Sequence, residues 1–311
     1  MLNFTRRNKV NFLGIDIGGT FIKYAIINNE NLIIKKWKKE TKKFNTSEKF
    51  YDYICDDLDV LNIKGVGVSS PGIISEESCV LSQAADNVRV MYQSYINKEI
   101  SKRIGRPVTS INDGKAAGYC ELKMGNGVNS KSSAYLIIGT GIGGCICNEN
   151  SIIEGINNIA GEFSHLPIIT KDGIKGMSSF ISMTALINMY NELANENRKV
   201  KYGVEVCNRY IDDEELSKKV INKWCENIAI AIYEIIIFYN PEIICIGGGI
   251  SEEEWFINKV KYKFYNEIRI KFKKLITTRI DRCKFNNDAN LIGAVLYFKS
   301  KLNNKYIHNN V

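Results

Sequence analysis

The sequence predicts an α/β fold made of two related domains. Two segments follow one pattern: an apolar strand, a turn of glycine and threonine, a second strand, an asparagine-rich turn and a third strand. The first runs from Phe12 to Ile34 and the second from Ala134 to Ile153. Their spacing of about 120 residues is too long for a solenoid repeat. The duplication therefore predicts two domains of like topology that face each other.

Helical and extended patterns alternate along the rest of the chain. Helical patterns cover 47–61, 95–104, 178–195 and 213–239, and strand patterns cover 65–70, 108–111 and 243–246. The clearest helix, 213–239, repeats apolar residues every three or four positions and stops before Pro241. Ser251 and Glu254 have the spacing of a capping box for a following helix. We expect an N-terminal domain over 1–115 and a C-terminal domain over 116–311, whose last helix packs back on the first domain.

Composition and charge disfavour several classes of protein. Hydrophobic residues make up 45% and charged residues 24% of the chain, as in globular proteins. No apolar run reaches the ~18 residues of a membrane span, and no long apolar stretch follows the basic residues 1–9. The nine cysteines are scattered, which predicts reduced thiols in a cytoplasmic protein. The net charge of +8 is spread along the chain, and the lysine cluster 35–43 is interpreted as a solvated strand end, so no nucleic-acid partner is expected.

The two glycine turns are candidate phosphate sites. Asp16 lies at the end of a strand before Gly18-Gly19-Thr20, and Thr140 and Gly141 lie in the equivalent second turn. Such turns expose backbone N–H groups, because glycine has no Cβ to block a phosphate. Asp16 can hold a hydrated Mg²⁺, and Lys23 can reach a phosphate. A plain hairpin is the alternative for either turn alone. A dinucleotide-binding motif is disfavoured, because a strand and not a helix follows the second turn.

Three further motifs carry candidate functional groups. Gly247 to Gly249 separate a strand from a predicted helix, where a ligand can approach the backbone closely. Asn112 and Asp113 follow another strand, and a carboxylate there can accept the proton of an attacking alcohol. Glu162 and His165 lie in a polar turn and can hydrogen-bond vicinal hydroxyls. Each motif alone is also typical of an ordinary loop, so the functional prediction depends on their joint occurrence.

Taken in order, these motifs resemble the ROK family of sugar kinases and repressors, within the actin and hexokinase ATPase superfamily, over about residues 10 to 300. The resemblance implies two ribonuclease H-like domains with an active site in the cleft between them, ATP and Mg²⁺ as cofactors, a homodimer, and Asp113 as the catalytic base. The residues implied to bind ATP are Asp16, Gly18, Gly19, Thr20, Lys23, Thr140, Gly141, Gly247, Gly248 and Gly249, with Asp16 holding Mg²⁺ through water. The residues implied to bind sugar are Gly72, Asn87, Asn112, Asp113, Glu162 and His165.

The resemblance also implies the reaction, while it leaves the sugar open. The expected reaction is transfer of the γ-phosphate of ATP to the C6 hydroxyl of a hexose or N-acetylhexosamine, such as glucose or N-acetylmannosamine, with a β-glucoside as the alternative acceptor. Most of the family carries a cysteine-rich zinc motif after the histidine. The segment 166–177 contains no cysteine, so the chain resembles a zinc-less branch with N-acetylmannosamine and β-glucoside kinases, and no zinc is expected.

Two other functions are disfavoured. A ROK repressor would carry a DNA-binding helix-turn-helix before the first phosphate strand, and only about nine residues precede that strand here. A non-catalytic, sugar-responsive regulator would be expected to lack Asp113 or one of the phosphate turns, and all of them are present.

Overall fold

The computed structural model describes residues 10–83, 86–269 and 273–308, with side chains described as far as residue 302. The basic stretch 1–9 considered above lies outside the described residues. The chain divides into two compact units. The first holds residues up to Lys123, the segment Glu154–Ile159 and residues from Asp288 onward, and the second holds Met124–Ile153 and Ala160–Asn287.

The first unit is built on a five-stranded sheet. Its strands are β1 (Asn11–Ile17), β2 (Phe21–Asn28), β3 (Ile33–Glu40), β4 (Ile63–Ser70) and β5 (Val108–Asn112). The order is β3-β2-β1-β4-β5, antiparallel from β1 to β3 and parallel among β1, β4 and β5. Because the parallel strands end at one edge of the sheet, Asp16, Ser69 and Asn112 lie near that edge.

Helices pack on both faces of this sheet. The first unit contains α1 (Ser47–Cys55), α2 (Ile96–Ile104), α3 (Asp113–Met124) and α9 (Ala289–His308). α1 and α2 pack on the face that carries Ile15 and Val68. α9 packs on the opposite face, where alternate residues of β4 are glycines. A Cβ on Gly67 would lie 2.2 Å from the carbonyl oxygen of Ala294, so only glycine allows α9 to approach this closely.

The lysine cluster 35–43 lies on β3 and the loop after it. Lys36 Nζ is 3.0 Å from Asp288 Oδ1, and Lys39 Nζ donates to the backbone carbonyls of Tyr53 and Asp56. Burial lowers the pKa of Lys39, while the charge of Asp56 opposes this effect. Two lysines of the cluster are therefore engaged within the first unit.

The second unit repeats the same sheet plan with four strands. These strands are β6 (Ser132–Ile138), β7 (Ile142–Asn148), β10 (Ile243–Gly247) and β11 (Arg279–Arg282), and a separate hairpin is formed by β8 (Pro167–Thr170) and β9 (Gly173–Gly176). The order β11-β10-β6-β7 matches β5-β4-β1-β2 of the first unit, with the first hairpin antiparallel and the other neighbours parallel. The helices are α4 (Ser178–Ile181), α5 (Met183–Leu193), α6 (Gly203–Ile211), α7 (Glu215–Tyr239) and α8 (Glu254–Tyr262).

The longest helix, α7, confirms the clearest pattern in the sequence. Its apolar residues at three- and four-residue spacing, among them Trp224, Ile228 and Ile232, are buried in the core of the second unit. The helix ends at Asn240, which adopts a left-handed conformation with φ of 49° just before Pro241. The predicted α/β class is thus observed in both units.

Three predicted elements are wrong in detail. The helix predicted over 47–61 ends at Cys55, because Asp56 is extended. The third strand of the second repeat is reduced to a single bridge between Cys147 and Ile152. The helix predicted over 178–195 is divided into α4 and α5, because Ser182 is extended and caps α5 by accepting a hydrogen bond from the N–H of Ala185 at 3.1 Å. Among the described residues, no helix has both the length and the apolarity needed to cross a membrane.

Candidate active site

The first glycine turn, between β1 and β2, is held through its carbonyl groups. Thr41 Oγ1 donates to the carbonyl of Gly18 at 2.7 Å, and the Thr41 N–H donates to that of Thr20 at 2.9 Å. Asn87 Nδ2 donates to the carbonyl of Gly19 at 2.9 Å. In a trans peptide the N–H points opposite to the C=O. The N–H groups of Gly19 and Thr20 therefore face away from these donors, as an anion-binding turn requires.

Asp16 is buried at the end of β1 beside this turn, and its carboxylate is fixed by three side chains. Its Oδ1 accepts hydrogen bonds from Ser69 Oγ at 2.9 Å and from Asn290 Nδ2 at 3.0 Å. Its Oδ2 is 3.3 Å from Lys23 Nζ, and the Lys23 side chain is 38% exposed. One carboxylate oxygen is thus occupied by neutral donors, while the other lies beside a partly exposed cation.

Asn112 and Asp113 lie where β5 passes directly into α3. Asn112 is the N-cap of α3, since its Oδ1 accepts from the Lys115 N–H at 3.1 Å, and its Nδ2 donates to the carbonyl of Gly72 at 3.0 Å. Asp113 is the first helical residue, half-buried, and its Oδ1 accepts from the Gly114 N–H at 2.7 Å. The positive end of the helix dipole stabilises a negative charge on Asp113.

The second glycine turn, between β6 and β7, is held in the same manner. The Met183 N–H donates to the carbonyl of Gly139 at 2.9 Å, and Thr184 Oγ1 donates to that of Thr140 at 2.7 Å. The carbonyl of Gly141 accepts from the Gly139 N–H at 2.9 Å. By the same peptide geometry, the N–H groups of Thr140 and Gly141 face away from Met183 and Thr184.

The glycine triplet follows β10 and forms a close turn. Gly248 has φ of 92°, and a Cβ there would lie 2.0 Å from the carbonyl oxygen of Ile138, so no other residue fits. A cleft beside this turn is lined by Asn126, Glu252, Arg282, Cys283, Lys284 and Asn286. The predicted capping box is wrong: a 3₁₀ turn intervenes, Ser251 Oγ donates to the Gly248 carbonyl, and Glu253 precedes α8.

Glu162 and His165 flank a short 3₁₀ turn of the second unit. Glu162 is half-buried, His165 is exposed, and the His165 N–H donates to the Glu162 carbonyl at 3.1 Å. Phe163 between them is buried against Gly144 of β7. The cysteine-free segment after His165 forms the hairpin of β8 and β9. Within the described part of the chain, no group of three or more His, Cys, Asp or Glu side chains is placed to hold a metal ion.

The predicted residues divide between the two units. The first unit brings Asp16, Lys23 and the turn Gly18–Thr20 together, and it joins Asn112 to Gly72. The side chain of Asn87, which the resemblance implies as a sugar contact, donates to the carbonyl of Gly19 in the first glycine turn. Thr140, Gly141, the glycine triplet, Glu162 and His165 belong to the second unit.

Four side chains that hold the site have no recognisable signal in the sequence: Ser69 and Asn290 on Asp16, and Thr41 and Thr184 on the turns. In the sequence, Ser69 lies within the strand pattern 65–70, which does not reveal its contact with Asp16. Thr41 and Thr184 are separated along the chain from the turns they bind by 23 and 44 residues, so no local pattern marks them.

Mg²⁺ is compatible with the residues at the first turn. The metal prefers few protein carboxylates and keeps several waters when it binds with phosphates. Asp16 offers one such carboxylate, with Oδ2 on the side of Lys23. The site therefore fits a hydrated ion and not a cage of protein ligands.

The sequence matches the ROK family over residues 12–301. This chain belongs to the ROK family. A β-glucoside kinase of Listeria innocua is 26% identical to this ROK protein over 295 residues, covering 93% of this chain and 97% of that one. The resemblance predicted from the motifs is thereby confirmed.

Two solved structures share the fold of this ROK protein. A ROK family protein from Streptococcus pneumoniae in complex with sucrose has a TM-score of 0.84 at 23% identity, covering 94% of this chain and 99% of that one. A ROK glucokinase from Streptomyces griseus in complex with glucose and AMPPNP has a TM-score of 0.75 at 23% identity, covering 91% of this chain and 97% of that one. The predicted actin-like ATPase fold is confirmed.

Proposed function

We propose that this ROK protein is an ATP-dependent kinase that phosphorylates the C6 hydroxyl of a hexose or N-acetylhexosamine. The observation that carries the proposal is the pair of glycine turns, in which every carbonyl is tied to the protein. Each unit contains one such turn, whose N–H groups can bind a phosphate. The family and the β-glucoside kinase relative support a sugar as acceptor.

Asp113 is the proton acceptor in this proposal. The sugar C6 oxygen attacks the γ-phosphorus, its proton passes to an Asp113 carboxylate oxygen, and the bond from the γ-phosphorus to the β–γ bridging oxygen breaks. ADP leaves with that oxygen. The positive end of the α3 dipole favours the charged form of the Asp113 carboxylate, and the hydrogen bond from the Gly114 N–H restrains one of its oxygens.

The remaining residues bind and orient the substrates. The turn N–H groups and Lys23 hold the phosphates, and the close turn at Gly248 admits the nucleoside to the backbone. Asn112, Glu162 and His165 bind sugar hydroxyls. Mg²⁺, when bound, supplies neutralisation of phosphate charge, with Asp16 as its protein partner through water.

A β-glucoside is the second candidate acceptor, and the relative named for that activity supports it. A β-glucoside differs from glucose in the group at C1, far from the C6 hydroxyl that reacts. The two candidates therefore share the chemistry and differ only in the sugar pocket.

A coupled assay of ADP release tests the function. Purified protein is supplied with ATP, Mg²⁺ and, one at a time, glucose, N-acetylmannosamine, N-acetylglucosamine and β-glucosides such as cellobiose. We expect ADP release that requires one of these sugars, with the phosphate found on C6 by NMR. Absence of sugar-dependent ADP release across the panel, from protein that binds ATP, would contradict the proposal.

A further inference from the structure

A buried lysine lies two residues after Asp113. Lys115 is in the first turn of α3 and its residue is only 2% exposed. Its ammonium donates to the carbonyl oxygen of Asn158 at 2.5 Å. It takes part in none of the ion pairs found in the part of the chain that the structure describes. A charge is costly to bury, so the position holds a lysine for a contact that an apolar residue could not make.

Asn158 extends this contact to a third segment of the first unit. Its side-chain Nδ2 donates to the carbonyl of Ile74 at 2.8 Å, across 84 residues of sequence. Its backbone has φ of 58°, a left-handed conformation that asparagine tolerates well. One residue therefore joins the start of α3, the loop after β4 and the segment Glu154–Ile159.

A second connection also links the start of α3 to the loop after β4. Asn112, the cap of α3, binds the carbonyl of Gly72, two residues before Ile74. The loop after β4 is thus tied to the start of α3 directly through Asn112 and indirectly through Lys115 and Asn158. The segment 154–159, by contrast, has its link to α3 through Lys115. Along the chain, Glu162 follows Asn158 by only four residues.

We infer that Lys115 is a positioning residue for sugar binding, which fixes the segment 154–159 and the loop at Ile74 relative to Asp113. The inference rests on the proposed function. Loss of the ammonium leaves the carbonyl of Asn158 without its donor and frees the short stretch that leads to Glu162 and His165. The phosphate turns are held by other groups, so nucleotide binding does not depend on Lys115.

Steady-state kinetics of three variants test the inference. Lys115→Met keeps the length and removes the charge. Asn158→Gly keeps the left-handed backbone and removes the link to Ile74. Lys263→Met is the matched control, because Lys263 is also a buried lysine (4% exposed) but lies in the second unit and pairs with Glu267.

We expect Lys115→Met to raise the sugar KM about 10-fold or more, as for a buried group left unpaired, with the ATP KM within about 2-fold of wild type. Asn158→Gly should raise the sugar KM in the same direction by less, and Lys263→Met should change neither KM. An equal rise in both KM values, or an unchanged sugar KM in Lys115→Met, would overturn the inference. If Lys115→Met does not fold, Lys115→Gln, which also removes the ammonium, decides by the same criteria.

Hydrogen exchange without substrates separates this inference from the proposed function. Amides of 154–162 should exchange faster in Lys115→Met than in wild type and the Lys263→Met control. Unchanged exchange overturns the anchoring role, whatever the activity. A wild-type protein without sugar-dependent ADP release, but with this exchange pattern, instead overturns the proposed function and leaves Lys115 as an anchor of the segment alone.

Discussion

The two glycine turns share a backbone plan but differ in charge. In both, a threonine hydroxyl and a backbone N–H from a later segment hold turn carbonyls: Thr41 provides both in the first unit, and Met183 and Thr184 provide them in the second. Before the first turn, Asp16 faces Lys23 across β1 and β2, whereas Ile137 faces Gly143 across β6 and β7. The duplicated feature is therefore the backbone cradle, whereas the positions of the charged pair Asp16 and Lys23 are taken by Ile137 and Gly143 in the second unit.

The largest effect is expected from Asp113→Asn in the first unit, because Asp113 is the proposed proton acceptor. The amide keeps the shape and can still accept the hydrogen bond from the Gly114 N–H, but it cannot accept the C6 proton. General-base catalysis contributes about 10²–10⁴-fold, so kcat should fall by at least about 100-fold. Steady-state kinetics should be paired with a thermal melt and an ATP titration, both of which should match wild type. A folded, ATP-binding variant with more than about a tenth of the wild-type kcat would remove Asp113 from this role.

A smaller effect is expected from Glu162→Ala and His165→Ala in the second unit. Each variant removes a polar group that binds a hydroxyl, worth about 1–3 kcal/mol if the group is buried in the complex. The sugar KM should rise by about 5–150-fold and the ATP KM should hold. Because His165 is exposed without ligand, its variant should melt at the wild-type temperature. An unchanged sugar KM in both variants would show that this turn has a structural role and does not bind sugar.

The shared backbone plan predicts matched effects from Thr41→Val and Thr184→Val. Valine keeps the shape and the N–H but removes the hydroxyl that holds one turn carbonyl. A single hydrogen bond contributes about 0.5–1.5 kcal/mol, so each variant should raise the ATP KM by about 2–10-fold and leave the sugar KM alone. An effect in one variant without the other would show that only one turn binds phosphate.

The smallest effect is expected from chelation in the absence of substrates. The segment after His165 forms the hairpin of β8 and β9 and contains no cysteine. We expect well under one zinc per chain by elemental analysis, and no shift of the melting temperature after EDTA treatment. Stoichiometric zinc, or a melting temperature that falls on chelation, would contradict this expectation.

Elements that a short segment encodes could be predicted from the sequence, whereas contacts between distant segments could not. The hairpins around Gly18 and Thr140 and the spacing in α7 are local patterns, and the structure has them. The helix α3 was not predicted, because nearly all of its residues are buried and no apolar stripe reveals its period. The fold class could be predicted from patterns that repeat along the chain.

The side chains that orient the site could not be predicted for a different reason. Asn290 binds Asp16 across 274 residues of sequence, and Lys115 reaches Asn158 across 43. Such contacts depend on how the sheet and helices assemble, and a single asparagine or lysine carries no signal of its partner. The candidate binding residues could be predicted from motifs, whereas the residues that hold them in place are evident only from the three-dimensional structure.

The packing of α9 on the first sheet constrains how the protein is made on the ribosome. The 274 residues that separate Asp16 from Asn290 take roughly 15–50 s to synthesise at about 5–20 residues per second. During that time the glycine-lined face of β4 has no helix to cover it, while the whole second unit is translated and free to fold. The first glycine turn thus acquires its full set of partners last, and we expect the uncovered face of the nascent first sheet to be a binding surface for a chaperone.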